Sequence, residues 1–168
     1  MLLLYLGPVP NKRRDGRVPA LKQGRVVQSA EVTTIAHATD DLEKVELALS
    51  HLLPEALKGR QVFTRRYLQG HYGNPIVTFE AHLTDPRDLD EFKGFFLKQL
   101  SVLDKASVVR ELDRHTDSDG NLFIRIDKQK MFRGIARLGQ DDPIRVRMKF
   151  TKFAGKSREL MVAYLESE

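Results

Sequence analysis

The chain has 168 residues and a formal net charge of +5, with 41% apolar and 30% charged residues. This length and composition suit one globular domain with a hydrophobic core. The sequence contains no cysteine, which excludes disulfides, thiolate metal sites and cysteine nucleophiles. It also has no apolar run of about 18 residues, so we predict a cytoplasmic protein that does not enter membranes.

Positive charge is segregated along the chain. Residues 11–25 and 143–158 are strongly basic, whereas residues 40–55 carry five acids against one lysine. Segregated charge is what a surface that binds a polyanion requires. This basic protein therefore has the charge distribution expected of a protein that binds nucleic acid.

Composition divides the chain into three parts. Residues 1–24 combine proline, glycine and basic side chains with little to bury, which predicts a flexible basic arm. Residues 25–150 contain the regular apolar patterns of one domain. Residues 151–168 place apolar side chains at helical spacing, which predicts a C-terminal tail helix packed on that domain.

The first half of the domain begins with a strand pattern. Residues 25–37 are rich in β-branched side chains. Asp40 and Glu43 then have the spacing of a capping box, so we expect a helix to begin after Asp40. Two further strands are predicted at residues 61–69 and 75–83, separated by a glycine-rich turn.

The second half of the domain starts with Asp85 and Pro86, which together predict the first turn of a helix. The remaining patterns predict a helix over residues 105–114, a strand over 121–127, a helical turn over 129–133, and strands over 134–138 and 144–150. Strands and helices thus come in blocks. This order predicts an α+β two-layer sandwich, in which helices cover one face of a largely antiparallel sheet and the other face is open.

The last predicted strand alternates without a break between apolar side chains and the cations Arg145, Arg147 and Lys149. The strand over residues 121–127 places Phe123, Arg125 and Asp127 at its outward positions. If these faces coincide, the sheet presents cations beside an aromatic ring, and RNA needs both because its phosphates attract charge and its bases stack. The alternative is a solvated sheet face with Phe123 covered by the arm or the tail helix.

The turn over residues 70–74 is a second candidate. It displays His71 and Tyr72, with Arg65 and Arg66 in the strand just before it. An exposed His-Tyr pair can stack on bases or bind phosphate. The alternative is a structural hairpin whose tyrosine packs onto the core.

Other chemical motifs fail on inspection. The GKS run at residues 155–157 lacks the earlier glycine of a phosphate loop. Residues 115–126 mimic a calcium loop but begin with His115 and have Ile126 where a bidentate glutamate is needed. The histidines lack metal-site spacing, and no nucleophile–base pair supports a hydrolase. We predict no cofactor, no metal and no catalytic residue.

Three runs resemble the archaeal family of predicted RNA-binding proteins known as exosome subunits: HATDDLEKV at residues 37–45, GHYGNPI at 70–76 and GNLFIRIDKQ at 120–129. The resemblance covers residues 25–150. It implies an archaeal source, RNA association and a fold similar to the ribosomal protein that contacts five-S RNA. It also directs attention to Lys128 and Gln129 as displayed residues.

Residues and resemblance together predict a non-catalytic RNA-binding protein, an accessory factor of the exosome or of ribosome-related RNA processing. The alternative is a protein-interaction subunit that does not touch RNA, which predicts an exposed apolar patch at residues 1–6 or on the tail helix. The predicted RNA-binding residues are Arg65, Arg66, His71, Tyr72, Phe123, Arg125, Lys128, Gln129, Arg133, Arg145, Arg147 and Lys149.

Overall fold

The structure, a computed structural model, describes residues 25–60, 62–152 and 156–167. These residues form five strands and five α-helices, and the strands make one sheet in the order β2-β3-β1-β5-β4 with every pair antiparallel. The strands are β1 (Val27–Ala36), β2 (Thr64–Gln69), β3 (Pro75–Leu83), β4 (Asn121–Asp127) and β5 (Pro143–Phe150). The helices are α1 (Leu42–Leu52), α2 (Pro86–Gln99), α3 (Val102–Arg110), α4 (Lys128–Phe132) and α5 (Ser157–Glu166).

Alternate burial separates the two faces of the sheet. In β1, Val32 and Ala36 are buried, whereas Glu31 and Thr33 are partly exposed. The same alternation runs through β3, β4 and β5, and the buried positions pack with the apolar sides of the helices in one core. The predicted α+β architecture is therefore confirmed. We call the opposite side of the sheet, which includes Glu31 and Thr33, the open face.

The helix starts were predicted with mixed success. Asp85 caps α2 and Pro86 occupies its first turn, as expected. The cap of α1, however, is Asp41, which accepts from Glu43 N at 3.0 Å. Asp40 lies one residue too early for that bond and instead accepts from His37 N at 3.0 Å. Capping motifs predict such a boundary only to within a residue or two.

Two other boundaries correct the predictions. Residues 134–138 form no ladder strand, and Leu138 contributes only an isolated bridge to Ile126. The helix α3 begins at Val102, three residues before the predicted start, because Ser101 Oγ accepts from Asp104 N at 3.1 Å. The predicted arm, residues 1–24, lies outside the described residues, as does Gln61 at the start of the second predicted strand.

The helix α5 packs its apolar side against the sheet core. Leu160, Met161, Tyr164 and Leu165 are buried, and the Tyr164 hydroxyl lies 2.8 Å from Met148 Sδ in β5. Burial raises the pKa of the Tyr164 hydroxyl far above its usual value. The described part of the tail helix therefore offers no exposed apolar stripe, contrary to what an interaction subunit docking through this helix would need.

Candidate nucleic-acid interface

Strand pairing brings the predicted strand-borne cations together. In the ladder between β4 and β5, Arg125 lies opposite Arg145, Phe123 lies opposite Arg147, and Lys149 lies opposite Asn121. Opposite residues of an antiparallel ladder project from the same face. We call this surface the cationic half of the open face; its residues are Phe123, Arg125, Arg145, Arg147 and Lys149.

Three of these cations have no acidic partner among the residues that the structure describes. The ion pairs within those residues include neither Arg125 nor Arg145 nor Lys149. Like charges directly opposite each other destabilise a strand pair. The Arg125–Arg145 pair is therefore a place where a bound anion removes a repulsion that the described side chains leave in place.

Arg147 differs from its neighbours because Glu31 partly neutralises it. Arg147 Nη2 lies 2.5 Å from Glu31 Oε2, and the same oxygen lies 3.4 Å from His82 Nδ1. Glu31 is on the central strand β1, next to β5. The cationic half therefore ends at β1, and the open face beyond it contains Glu80, which pairs with Arg66.

The ring of Phe123 is half-buried within this cationic surface. Hydrogen bonds on both sides of β4 hold the backbone of this residue in place. Phe123 N donates to His115 O at 2.7 Å, and Phe123 O lies 2.8 Å from His115 Nδ1. Further bonds close the same edge of β4: Asp127 N donates to Arg137 O at 2.8 Å and Gly139 N donates to Arg125 O at 3.0 Å. The edge of β4 is thus paired, which holds its side chains in register.

Lys128 corrects the prediction of a displayed side chain. It is only 4% exposed and donates to Ile35 O at 2.7 Å and to Asp40 Oδ2 at 3.0 Å. Its Nζ also contacts the carboxylate of Asp142. Lys128 therefore joins the end of β1 to two loops and is not available to RNA. Gln129 in α4 and Arg133 just after α4 are exposed.

The Lys128 contacts also affect the carboxylate of Asp40. Burial by itself raises the pKa of Asp40, but the hydrogen bond from His37 N–H and the nearby Lys128 ammonium outweigh it. The pKa of Asp40 consequently lies below its usual range. This carboxylate stays charged in the folded protein at any pH near neutrality.

The predicted residues on β2 and its turn lie apart from the cationic half. Arg66 projects from the open face, but Arg65 projects from the helix side, where its guanidinium lies 2.7 Å from Glu46. His71 and Tyr72 are exposed at the hairpin tip, with ring centroids 5.0 Å apart in an edge-to-face arrangement. Three strand spacings, or roughly 14 Å, separate β2 from β5. The alternative of a tyrosine packed on the core does not apply, because Tyr72 is 92% exposed.

Sequence reasoning missed two features of this surface. Strand order is not visible in the sequence, so the neutralisation of Arg147 by Glu31 could not be predicted. The exposure of Tyr67 was also missed, although the run Arg65-Arg66-Tyr67-Leu68 lacks the apolar alternation of an internal strand, and this is a signal for a sheet edge.

The described part of the chain contains neither a group of metal ligands nor a membrane-spanning helix. Its side chains include no group of three or more potential metal ligands. None of its helices is long and apolar enough to cross a membrane.

Comparison with known proteins places these observations in a family. A family model described as RNA binding matches residues 29–150. An RNA-binding protein of Pyrococcus abyssi is 32% identical over 137 residues, which cover 80% of this chain and 89% of the relative. The family-model match spans β2 to β5 and all of β1 except its first two residues.

Solved structures agree with the fold. A protein of Archaeoglobus fulgidus is 30% identical with a TM-score of 0.69, over 82% of this chain and 96% of that one. A DUF54 protein of Methanothermobacter thermautotrophicus is 28% identical with a TM-score of 0.67, over 84% of this chain and all of that one. Both matches extend over nearly the whole length of those archaeal proteins.

Proposed function

The chain belongs to this RNA-binding family, and from that premise we propose that it binds RNA through the cationic half of the open face. The observation that supports this surface above any other is the Arg125–Arg145 pair, opposed across two strands. Arg125, Arg145 and Lys149 neutralise phosphates in this proposal. Phosphate contacts supply most of the affinity of such interfaces, and base contacts supply selectivity.

Phe123 gives the surface a means to contact bases. Its ring lies beside Arg147 and between the positions of Asn121 and Arg125 along β4. Stacking of one base on an aromatic ring contributes about 1–3 kcal/mol and needs an unstacked base. The proposal therefore favours single-stranded or looped RNA over a continuous duplex, whose bases are already stacked. Arg147 also contacts a phosphate in this proposal, after its ion pair with Glu31 breaks.

A second set of contacts is proposed at one end of the sheet. The hairpin tip with His71 and Tyr72 extends past the Arg145 end of β5, since Thr33 pairs with Arg145 while the later residue Ala36 pairs with Val77. Gln129 and Arg133 follow β4 at that same end. Arg66 adds a weaker contact, because it is already paired with Glu80, whereas Arg65 points to the helix side and lies outside this set.

The test is RNA binding by a triple variant and a matched control. Arg125, Arg145 and Lys149 are replaced by alanine; the control replaces Arg60, Arg114 and Arg158, which pair with acids on the helix side. Both variants lose the same charge. Fluorescence anisotropy with a labelled single-stranded RNA is expected to show a large loss of affinity for the first and little change for the control. Equal losses would mean that only net charge matters.

The proposal includes binding without catalysis. RNA incubated with the pure protein is expected to remain intact while bound. Cleavage that disappears in a His71→Ala variant would contradict this part and would point to His71 as a general base.

The assembly in which the protein meets RNA is a finer proposal. The three sequence runs described above support an accessory role beside the archaeal exosome or ribosomal components, and the likeness to the ribosomal protein that contacts five-S RNA belongs to the same proposal. The competing function is an interaction subunit that does not touch RNA. Co-purification with exosome or ribosomal proteins that persists in the triple alanine variant, with no RNA crosslinked to the natural chain, would favour that competitor.

A further inference from the structure

The two edges of the sheet differ in how their backbone groups are paired. The edge of β4 receives hydrogen bonds from residues 115–117 and 137–139. The edge of β2 pairs, within the described residues, with β3 alone. All six residues of β2 are exposed, including Tyr67 at 71% and Leu68 at 50%. An exposed edge of this kind is a template for another strand.

The hairpin turn fixes which backbone groups of β2 point outward. Gly70 N donates to Asn74 O at 2.7 Å. Because backbone bonds alternate along an antiparallel strand, Leu68, Arg66 and Thr64 continue the ladder to β3. The N–H and C=O groups of Arg65, Tyr67 and Gln69 therefore point away from the sheet.

We propose that this edge binds the same edge of a second copy of the chain, with β2 antiparallel to β2 about a two-fold axis at Tyr67. In this register Tyr67 lies opposite Tyr67, and Arg65 lies opposite Gln69 of the second copy. The outward backbone groups of both strands then form about six hydrogen bonds. The result is a ten-stranded sheet made from two identical halves.

Charge selects this register over its neighbours. A two-fold axis at Arg65 or Arg66 places a guanidinium directly opposite its own copy, which destabilises the pair. An axis beyond Tyr67 leaves fewer residues of β2 paired. With the axis at Tyr67, each Arg66 lies opposite Leu68, and the arginines of both copies retain their bonds to Glu46 and Glu80.

The same two-fold axis has a consequence for the open face. Because the axis is perpendicular to the sheet, both open faces lie on one side of the assembly. The two cationic halves then lie at the outer ends of one continuous surface. The dimer does not require RNA, and its test is independent of the RNA proposal.

The absence of cysteine from the chain allows a site-specific test. Directly opposed, hydrogen-bonded residues have Cα atoms about 5.5 Å apart, which is within the range of a disulfide. Oxidation of a Tyr67→Cys variant is expected to give a covalent dimer in high yield. In the Arg66→Cys and Leu68→Cys variants the two cysteines do not lie opposite each other, so these variants are expected to crosslink poorly. A Leu103→Cys variant, 78% exposed on α3, measures random collision.

A second measurement does not depend on crosslinking. Sedimentation equilibrium of the full chain without RNA is expected to show twice the 19.2 kDa chain mass at high protein concentration. Tyr67→Lys places two ammonium groups at the axis and is expected to give the monomer, whereas Leu103→Lys is not. A natural chain that is monomeric at every concentration, or equal crosslinking through Cys at positions 67 and 103, would overturn the proposal. So would a Tyr67→Lys variant that keeps the dimer and loses RNA binding, because the edge would then be an RNA contact.

Discussion

The arginines at the two edges of the sheet have opposite surroundings. On β2, Arg65 and Arg66 each contact a glutamate, at 2.7 and 3.2 Å. On β4 and β5, Arg125 and Arg145 face each other, and no acid among the described residues pairs with either. The edge backbones show the reverse: hydrogen bonds close the edge of β4, whereas β2 pairs with β3 alone among the residues that the structure describes.

This difference assigns different functions to similar side chains. A cation with an acidic partner contributes to folding, and its removal leaves the acid alone. A cation beside another cation contributes nothing favourable to the strand pair, and in our proposal its role is to bind a phosphate. The number of basic residues therefore says less about RNA binding than the partners that each one has in the fold.

The largest expected effect is on stability, from removal of the most fully paired cation. Lys128→Met leaves Asp40 and Asp142 without their buried partner, and we expect the free energy of unfolding to fall by about 2–3 kcal/mol. Urea denaturation measures the change. Lys130→Met removes an exposed lysine that pairs with Asp127, and its effect should stay below about 0.5 kcal/mol. If both variants lost a similar free energy of unfolding, the burial and the number of partners of a lysine would not determine its contribution to stability.

The next effect concerns the aromatic ring of the cationic half. Phe123→Leu keeps an apolar side chain but removes the stacking surface, so we expect single-stranded RNA affinity to fall by about 1–2 kcal/mol, or roughly tenfold. Duplex RNA binding should change much less. Parallel titrations with the two RNAs measure the difference. Equal losses for both would mean that Phe123 supports the backbone and does not contact bases.

The lowered pKa of Asp40 gives a prediction about acid. A carboxylate whose pKa is depressed by folding stabilises the protein above its unfolded pKa of 3.8, and this contribution is lost as the pH falls through the lower folded pKa. Asp40→Asn should therefore be less stable than the natural chain at pH 7 by about 1 kcal/mol, and the difference should shrink below about pH 4. A difference that persists unchanged into acid would contradict the assigned cause.

The smallest expected effect tests the repulsion between Arg125 and Arg145. Arg125→Thr removes one of two facing charges and introduces a good strand former. The free energy of unfolding, measured by urea denaturation, is therefore expected to rise by about 0.3–0.5 kcal/mol, while RNA affinity falls. Arg66→Thr removes a paired arginine and is expected to lower stability slightly. A loss of stability in Arg125→Thr would mean that this arginine has a structural partner.

Local rules were enough to predict most of the fold. Alternation in residues 144–150 and the Asp85–Pro86 start identified β5 and α2, because local backbone chemistry decides both. Residues 134–138 were predicted to form a strand, yet they only bridge β4, because a strand also needs a partner for its full length. Asp40 was predicted as a helix cap but binds Lys128 from a distant turn.

In the candidate site too, local features could be predicted from the sequence, whereas contacts between distant residues could not. The alignment of Arg145, Arg147 and Lys149 followed from the period-two pattern, which depends only on neighbouring residues. That Arg125 shares their surface depends on the pairing of β4 with β5. The burial of Lys128 and the pairing of Arg147 with Glu31 depend on residues far away in the sequence. Such contacts require the strand order, which a single sequence does not contain.

The salt dependence of RNA binding tests the central claim most directly. Each neutralised phosphate contributes about 0.7–0.9 to the slope of log affinity against log salt, so four contacts through the cationic half give a slope of about −3 to −4. Replacing Arg125, Arg145 and Lys149 by alanine should reduce its magnitude by about 2–3, while the Arg60, Arg114 and Arg158 control keeps the natural slope. An unchanged slope in the first variant would contradict the account, since RNA would then be bound elsewhere.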